Sequence, residues 1–213
     1  MNLEPLAHLF QERFDAKTAA RERALVAARR AIRSSANAIR AIHRLDRDTA
    51  HRLMEEARSA IEDGLAATRD HPDVAFAGFL QDAQKEYVEA RVTEAIVDQG
   101  EVPGPDELGV QLAPYLNGMA EAVGEARRHI LDLLRAGEVE RSEAMLQAME
   151  EIYAVLVSMD YPDAITGNLR RSTDVARSIM EKTRGDLSLS LVQRDLRDAL
   201  ERHARQFGTD GSG

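Results

Sequence analysis

Apolar residues recur at intervals of three and four along most of this chain. Leu25, Ala28, Ile32, Ala36, Ile39 and Ile42 step along one face of a helix, and no Gly or Pro interrupts the stretch from Leu6 to Asp63. The pattern predicts a first helix over about 3–45. A second, capped by Asp48 or Thr49, carries Leu53, Met54, Ala57, Ala60, Ile61 and Leu65 on its core face. Pro72 opens a third helix that runs, through Phe76, Phe79, Leu80, Tyr87, Val88 and Ile96, to Gly100. After the loop of 100–105, with its two prolines and two glycines, a fourth helix spans about 108–135 and a fifth about 139–159. Two more are expected over about 168–183 and 188–206. Gly118 and Gly124 sit inside the fourth helix, where Gly costs about 1 kcal/mol, and so suggest close approach to a neighbouring backbone.

The expectation is an all-α, single-domain bundle of seven helices over 1–207, with long N-terminal helices and a disordered tail over 208–213. Composition agrees. Of 213 residues 44% are hydrophobic but only 4% aromatic, with no Trp, which suits close-packed helices better than sheets. The absence of Cys excludes disulfides, thiolate zinc sites and cysteine nucleophiles. The longest apolar run, 152–157, is too short to span a bilayer, and no basic-then-apolar leader opens the chain. A soluble, cytoplasmic protein with no membrane partner is expected.

Charge changes the picture. The net charge is −9, but the stretch from Lys17 to Arg47 carries nine Lys/Arg against Glu22 and Asp46, leaving it at +7 and the rest at −16. Arg23, Arg30, Arg33, Arg40, Arg44 and Arg47 are spaced by 7, 3, 7, 4 and 3 residues, near-whole numbers of helical turns. Six guanidiniums along one edge reach about 36 Å, the span of several nucleotides, and arginine forks match phosphate oxygens. The plainer alternative is a solvated face neutralised by acids elsewhere in the chain.

Two helices carry paired carboxylates. Glu86 and Glu89 stand at i and i+3, and Glu121 and Glu125 at i and i+4, among small and apolar residues. If the two helices pack antiparallel, the four converge on a site for a hard divalent cation. The alternative is a solvated face, or ion pairs with Lys85 or Arg128. No His follows a Glu by three residues, which excludes the di-iron bundle pattern, and no phosphate-loop, dinucleotide or His-Glu-x-x-His motif occurs. The histidines read as surface or packing residues.

Four segments in order resemble the translin/TRAX family: Arg21-Glu-Arg-Ala-Leu and the Arg-rich helix after it; Gln84-Lys-Glu-Tyr-Val-Glu-Ala; Tyr115-Leu-x-Gly-x-Ala-Glu-x-x-Gly-Glu-x-x-Arg128; and Leu169-Arg-Arg-x-x-Asp-Val-x-Arg177. The resemblance implies a translin-type bundle assembling into a hollow homo-oligomeric shell, a hexamer or octamer. It also implies a Mg2+- or Mn2+-dependent endoribonuclease acting on single-stranded RNA. Glu86, Glu89 and Glu125 match the catalytic acids of the TRAX pattern, while Glu121 stands where TRAX has Asp. Those four would hold metal, and the six arginines would hold nucleic acid. The alternative within the family is a translin-like protein that binds single-stranded DNA or RNA without cutting it. A second homologous chain in the assembly is left open.

Overall fold

The computed structural model describes residues 2–208, with side chains to residue 206; of the tail expected over 208–213, Gly208 instead ends the last helix, and 209–213 lie outside the described residues. Every regular element among them is helical. Six long helices carry the fold: α1 (Glu4–His43), α2 (Arg47–Ala67), α4 (Phe79–Asp98), α6 (Leu112–Ala136), α7 (Val139–Ser158) and α9 (Leu169–Gly208). Three single turns, α3 (Pro72–Ala75), α5 (Pro105–Leu108) and α8 (Asp163–Thr166), punctuate the connections.

The differences from the expected segmentation have local causes. The second helix is capped by Asp46, whose side chain accepts from the Thr49 amide; Asp48 and Thr49 already lie inside it. The expected third helix is divided, because Gly78 adopts φ 99° and the Gln81 side chain folds back onto its amide to start α4. At the C-terminal end, one helix replaces two. Gly185 does not break α9, because Arg127 of α6 donates to Thr183 Oγ1 and Asp186 Oδ2 on either side of it and fastens the helix across the weak point.

Helix direction follows from which residues meet. Along α4 and α6 the contacts climb in step, from Gln84 with Gln111, through Val88 with Gly118, to Glu89 beside Glu121. The two helices therefore run parallel, not antiparallel. Residues 99–111 make this possible by returning the chain from the end of α4 to Gln84, where the Gln111 amide donates to the Gln84 side chain. In the same way α9 runs parallel to α6 (Ser172 with Asn117, Asp186 with Arg127), while α2 folds back on α1 and α7 on α6.

One continuous core unites the long helices, built from Ala-rich faces of α1 and α2, Leu80, Tyr87, Val88 and Val92 of α4, and Val123, Ile130, Met145, Met149 and Leu156 beyond. Small residues let the helices approach closely. A Cβ on Gly118 would lie 2.6 Å from the Lys85 carbonyl oxygen and 2.7 Å from Val88 Cβ, so this glycine is the close contact its position predicts. Gly124 is not: its nearest neighbour would be Ile179 Cδ1 at an ordinary 3.8 Å.

Candidate metal centre and nucleic-acid interface

The Gly118 contact presses α6 against α4 one turn below the acids. As a result Glu86, Glu89 and Glu121 each place a carboxylate oxygen within 4.8 Å of the other two, all half-buried. Like charges this close repel, and burial adds to the cost of ionising them. The Glu89 carboxyl is pushed up to about 8, chiefly by burial and then by the fields of Glu121, Glu86 and Glu125. Glu86 is also raised by burial, against the pull of Lys85.

Lys85 is the counter-ion of the cluster. Its Nζ lies 2.7 Å from Glu121 Oε1 and 3.8 Å from Glu86 Oε1. Burial opposes its charge, but the bond to Glu121 and the surrounding carboxylates hold its pKa above the ordinary lysine range. The ion pair anticipated as the plain alternative is thus present, and it joins the acids without dispersing them.

Glu125 is the acid that does not join. Its Oε2 meets His43 Nε2 at 2.5 Å, and Arg128 stands 3.9 Å away on its own helix. The His43 bond holds the Glu125 carboxyl below the ordinary range, although its charge still reaches Glu89. The sequence pattern places His43 among surface or packing residues, yet its side chain is only 6% exposed and it enters this site from the last turn of α1. The signal was present: His43 extends the face of Ile32, Ala36 and Ile39 by one further step of four. His129, four residues after Glu125, stacks 6.1 Å from the His43 ring, and burial and the neighbouring His43 hold its pKa down. His43 Nδ1 and His129 Nε2 are both buried without a partner among the described residues.

The six arginines are all exposed, but they do not form one uniform edge of one helix. Arg23, Arg30, Arg33 and Arg40 lie on α1, Arg44 caps it, and Arg47 already belongs to α2. Arg30 pairs with Asp63 of α2 at 2.5 Å and Arg47 with Asp98 at 2.8 Å; Arg40 donates to Asn37. Partial neutralisation therefore comes from neighbouring helices. Arg23, Arg33 and Arg44 have no carboxylate partner among the described residues. The basic row adjoins the acids at its C-terminal end, since Arg40 lies one turn before the His43 that touches Glu125.

The whole bundle, not only this site, matches solved structures. AfC3PO superimposes with a TM-score of 0.81 at 33% identity, covering 88% of this chain and 98% of that one. The chain belongs to the translin/TRAX family. A second AfC3PO structure, a complex with duplex RNA, matches with a TM-score of 0.82 at the same 33% identity, over 97% of its chain. The structure of apo-NeC3PO shares the fold, with a TM-score of 0.78 at 23% identity. An uncharacterized protein of Methanocaldococcus jannaschii is 32% identical over 188 residues, 87% of this chain and 83% of its own. No family model matches the sequence. Among the described residues no helix is long and apolar enough to cross a membrane. Within the family frame, the converging acids are two that match the TRAX pattern, Glu86 and Glu89, together with the variant position Glu121.

Proposed function

We propose that the protein is a metal-dependent endoribonuclease that acts as a homo-oligomer on RNA held along the arginine row of α1. The observation that carries this reading is the convergence of Glu86, Glu89 and Glu121 within 4.8 Å while burial and mutual repulsion lift Glu89 to about 8. An all-oxygen, anionic and half-buried donor set with one lysine for three carboxylates suits a hard divalent cation, Mg2+ or Mn2+. Glu86, Glu89 and Glu121 would hold it, with Glu125 in reserve one turn along α6. When bound, such an ion supplies Lewis acidity and a water of lowered pKa for phosphodiester hydrolysis. The chain itself contributes the rest. Arg23, Arg33 and Arg44 offer free forks to the backbone phosphates, and Lys85 limits repulsion between the acids and an approaching polyanion. His43 keeps Glu125 ionised and oriented.

Oligomerisation is supported by apolar residues left uncovered at both ends of the chain. Leu3, at the N-cap of α1, with Leu6, Phe10 and Phe14 on it, and Leu189, Val192, Leu196 and Leu200 on α9, are each 47% to 65% exposed at steps of three and four. Single-stranded RNA is the substrate the family resemblance favours, and the duplex RNA bound by AfC3PO adds double strands to the panel.

A second reading is a translin-like protein that binds single-stranded RNA or DNA without cutting it. Lys85 favours it, because an ammonium 2.7 Å from Glu121 already provides part of the positive charge a metal would bring. Purified protein incubated with labelled single- and double-stranded RNA and DNA, with Mg2+, Mn2+ or chelator, separates the two. Metal-dependent RNA cleavage that is abolished in Glu86→Gln/Glu89→Gln, with RNA binding intact or tighter, is the expected result. Binding without cleavage under every metal condition selects the second reading, and cleavage retained by the double variant overturns the site.

A further inference from the structure

Glu121 does more than complete the acid cluster. It also lines two clefts that open on either side of it. One, of about 340 Å³, includes Glu89, Arg171 and Ser172. The other, of about 500 Å³, lies between the beginnings of α4, α6 and α9 and includes Lys85, Gln111, Asn168, Arg171 and Ser172. The larger volume is within the range of small-molecule sites, about 300–1,000 Å³.

Beside the charged groups Asp82, Lys85 and Glu121, of which Lys85 is paired with Glu121, its remaining polar groups fall into two sets. Gln81 and Asn117 are fully used in holding the walls. Gln81 accepts from the Gly78 amide and donates to the Ala75 carbonyl and to Gln111 Oε1. Asn117 donates to the Ala113 and Thr166 carbonyls and accepts from Ser172 Oγ. This network ties α6 to α8 and α9 and gives the cleft a fixed shape. The Arg171 guanidinium, the Asn168 side-chain amide and the Gln111 Nε2 donor, by contrast, have no partner among the described residues. Ala113 and Pro114 add apolar lining.

A rigid cleft with one free guanidinium, a free amide carrying both donor and acceptor, and a further amide donor is chemically suited to a nucleotide. The fork binds the phosphate and the amides meet the edge of a base. We infer that this cleft is a nucleotide subsite, taking the base and ribose of the residue next to the scissile phosphate, with Arg171 on its phosphate. Its placement beside the scissile bond rests on the ribonuclease reading, because Glu121 is the wall shared with the acids. Binding of a nucleotide there does not.

The test uses the full chain with adenosine and uridine 5′-monophosphates as probes, titrated by calorimetry in chelator so that no metal contributes. Wild-type protein should bind them, and Arg171→Ala should weaken binding at least tenfold, as expected for a lost charge-assisted bond to phosphate. Asn168→Ala should change the ratio of the two affinities. Arg135→Ala, in the last turn of α6 and outside both the cleft and the basic row, should leave both unchanged. Arg171 is exposed and unpartnered, so its variant is expected to fold, with circular dichroism as the check. Wild-type binding that Arg171→Ala does not weaken, or no binding at all, overturns the subsite even if RNA is cleaved. Arg171-dependent binding without any RNA cleavage upholds the subsite and removes the nuclease reading instead.

Discussion

Glu89→Gln removes the most strongly perturbed carboxyl among the described residues and keeps the shape of the side chain. Glu89 makes no hydrogen bond or ion pair among the described residues, so the amide loses no bond. Its carboxyl sits at about 8 in the folded protein against an ordinary 4.5. The sign follows directly: the fold favours the protonated form, so the unfolded chain gives up its proton first as pH rises. Stability is fully present below about 4.5, declines as pH climbs toward 8, and levels off above it. At about 1.4 kcal/mol for each pH unit, the displacement sets a ceiling of about 5 kcal/mol. Water at the half-exposed rim and the Lys85 ammonium relax part of this, and we expect about 2 kcal/mol at pH 8. Urea unfolding of wild-type and Glu89→Gln protein at one chain concentration, in chelator, from pH 5 to pH 9, measures the difference. The two should nearly coincide at pH 5 and separate progressively up to pH 8, with the variant the more stable. Saturating Mn2+ should reverse the order, since a bound cation stabilises the ionised form. Parallel stability curves across this range in chelator would refute the reasoning that the three carboxylates crowd one another without enough compensating charge.

Other perturbations read other parts of the structure. Gly118→Ala should lower stability by about 1–3 kcal/mol, since the new methyl meets the Lys85 carbonyl and Val88 at under 3 Å; thermal unfolding reads this, and unchanged stability would mean that α4 and α6 are not in close contact. His43→Ala removes the bond that holds the Glu125 carboxyl down, a bond whose stabilisation is present above the ordinary carboxylate range and lost on acidification. The variant's loss of stability between pH 6 and pH 3 should therefore be shallower than that of wild type, and an unaltered acid limb would argue against the pair. Arg23→Glu/Arg33→Glu/Arg44→Glu targets the unpaired members of the basic row. It should collapse RNA binding and cut the slope of log affinity against log salt by about 2, measured by filter binding, whereas Arg30→Glu, already paired with Asp63, should cost less.

Periodicity within a helix is a local property, and it was legible. The spacing of Leu25 to Ile42 predicted α1 almost to its ends, Gly118 announced a close helix contact, and the pairs Glu86/Glu89 and Glu121/Glu125 were visible as candidate ligands. What could not be read was anything that depends on one helix meeting another. The parallel course of α4 and α6 depends on the return of residues 99–111 to Gln84, and no intrahelical pattern encodes that register. The continuity of α9 through Gly185 depends on Arg127 of another helix, which outweighs the local cost of the glycine. Above all, spacing placed four acids on two faces, but only packing could divide them. Gly118 brings Glu121 to Glu86 and Glu89, and the end of α1 delivers His43 to draw Glu125 aside. A 3.6-residue repeat specifies which face a side chain occupies; the distance between faces is decided by side-chain volume and chain return, which exist only once the helices have packed.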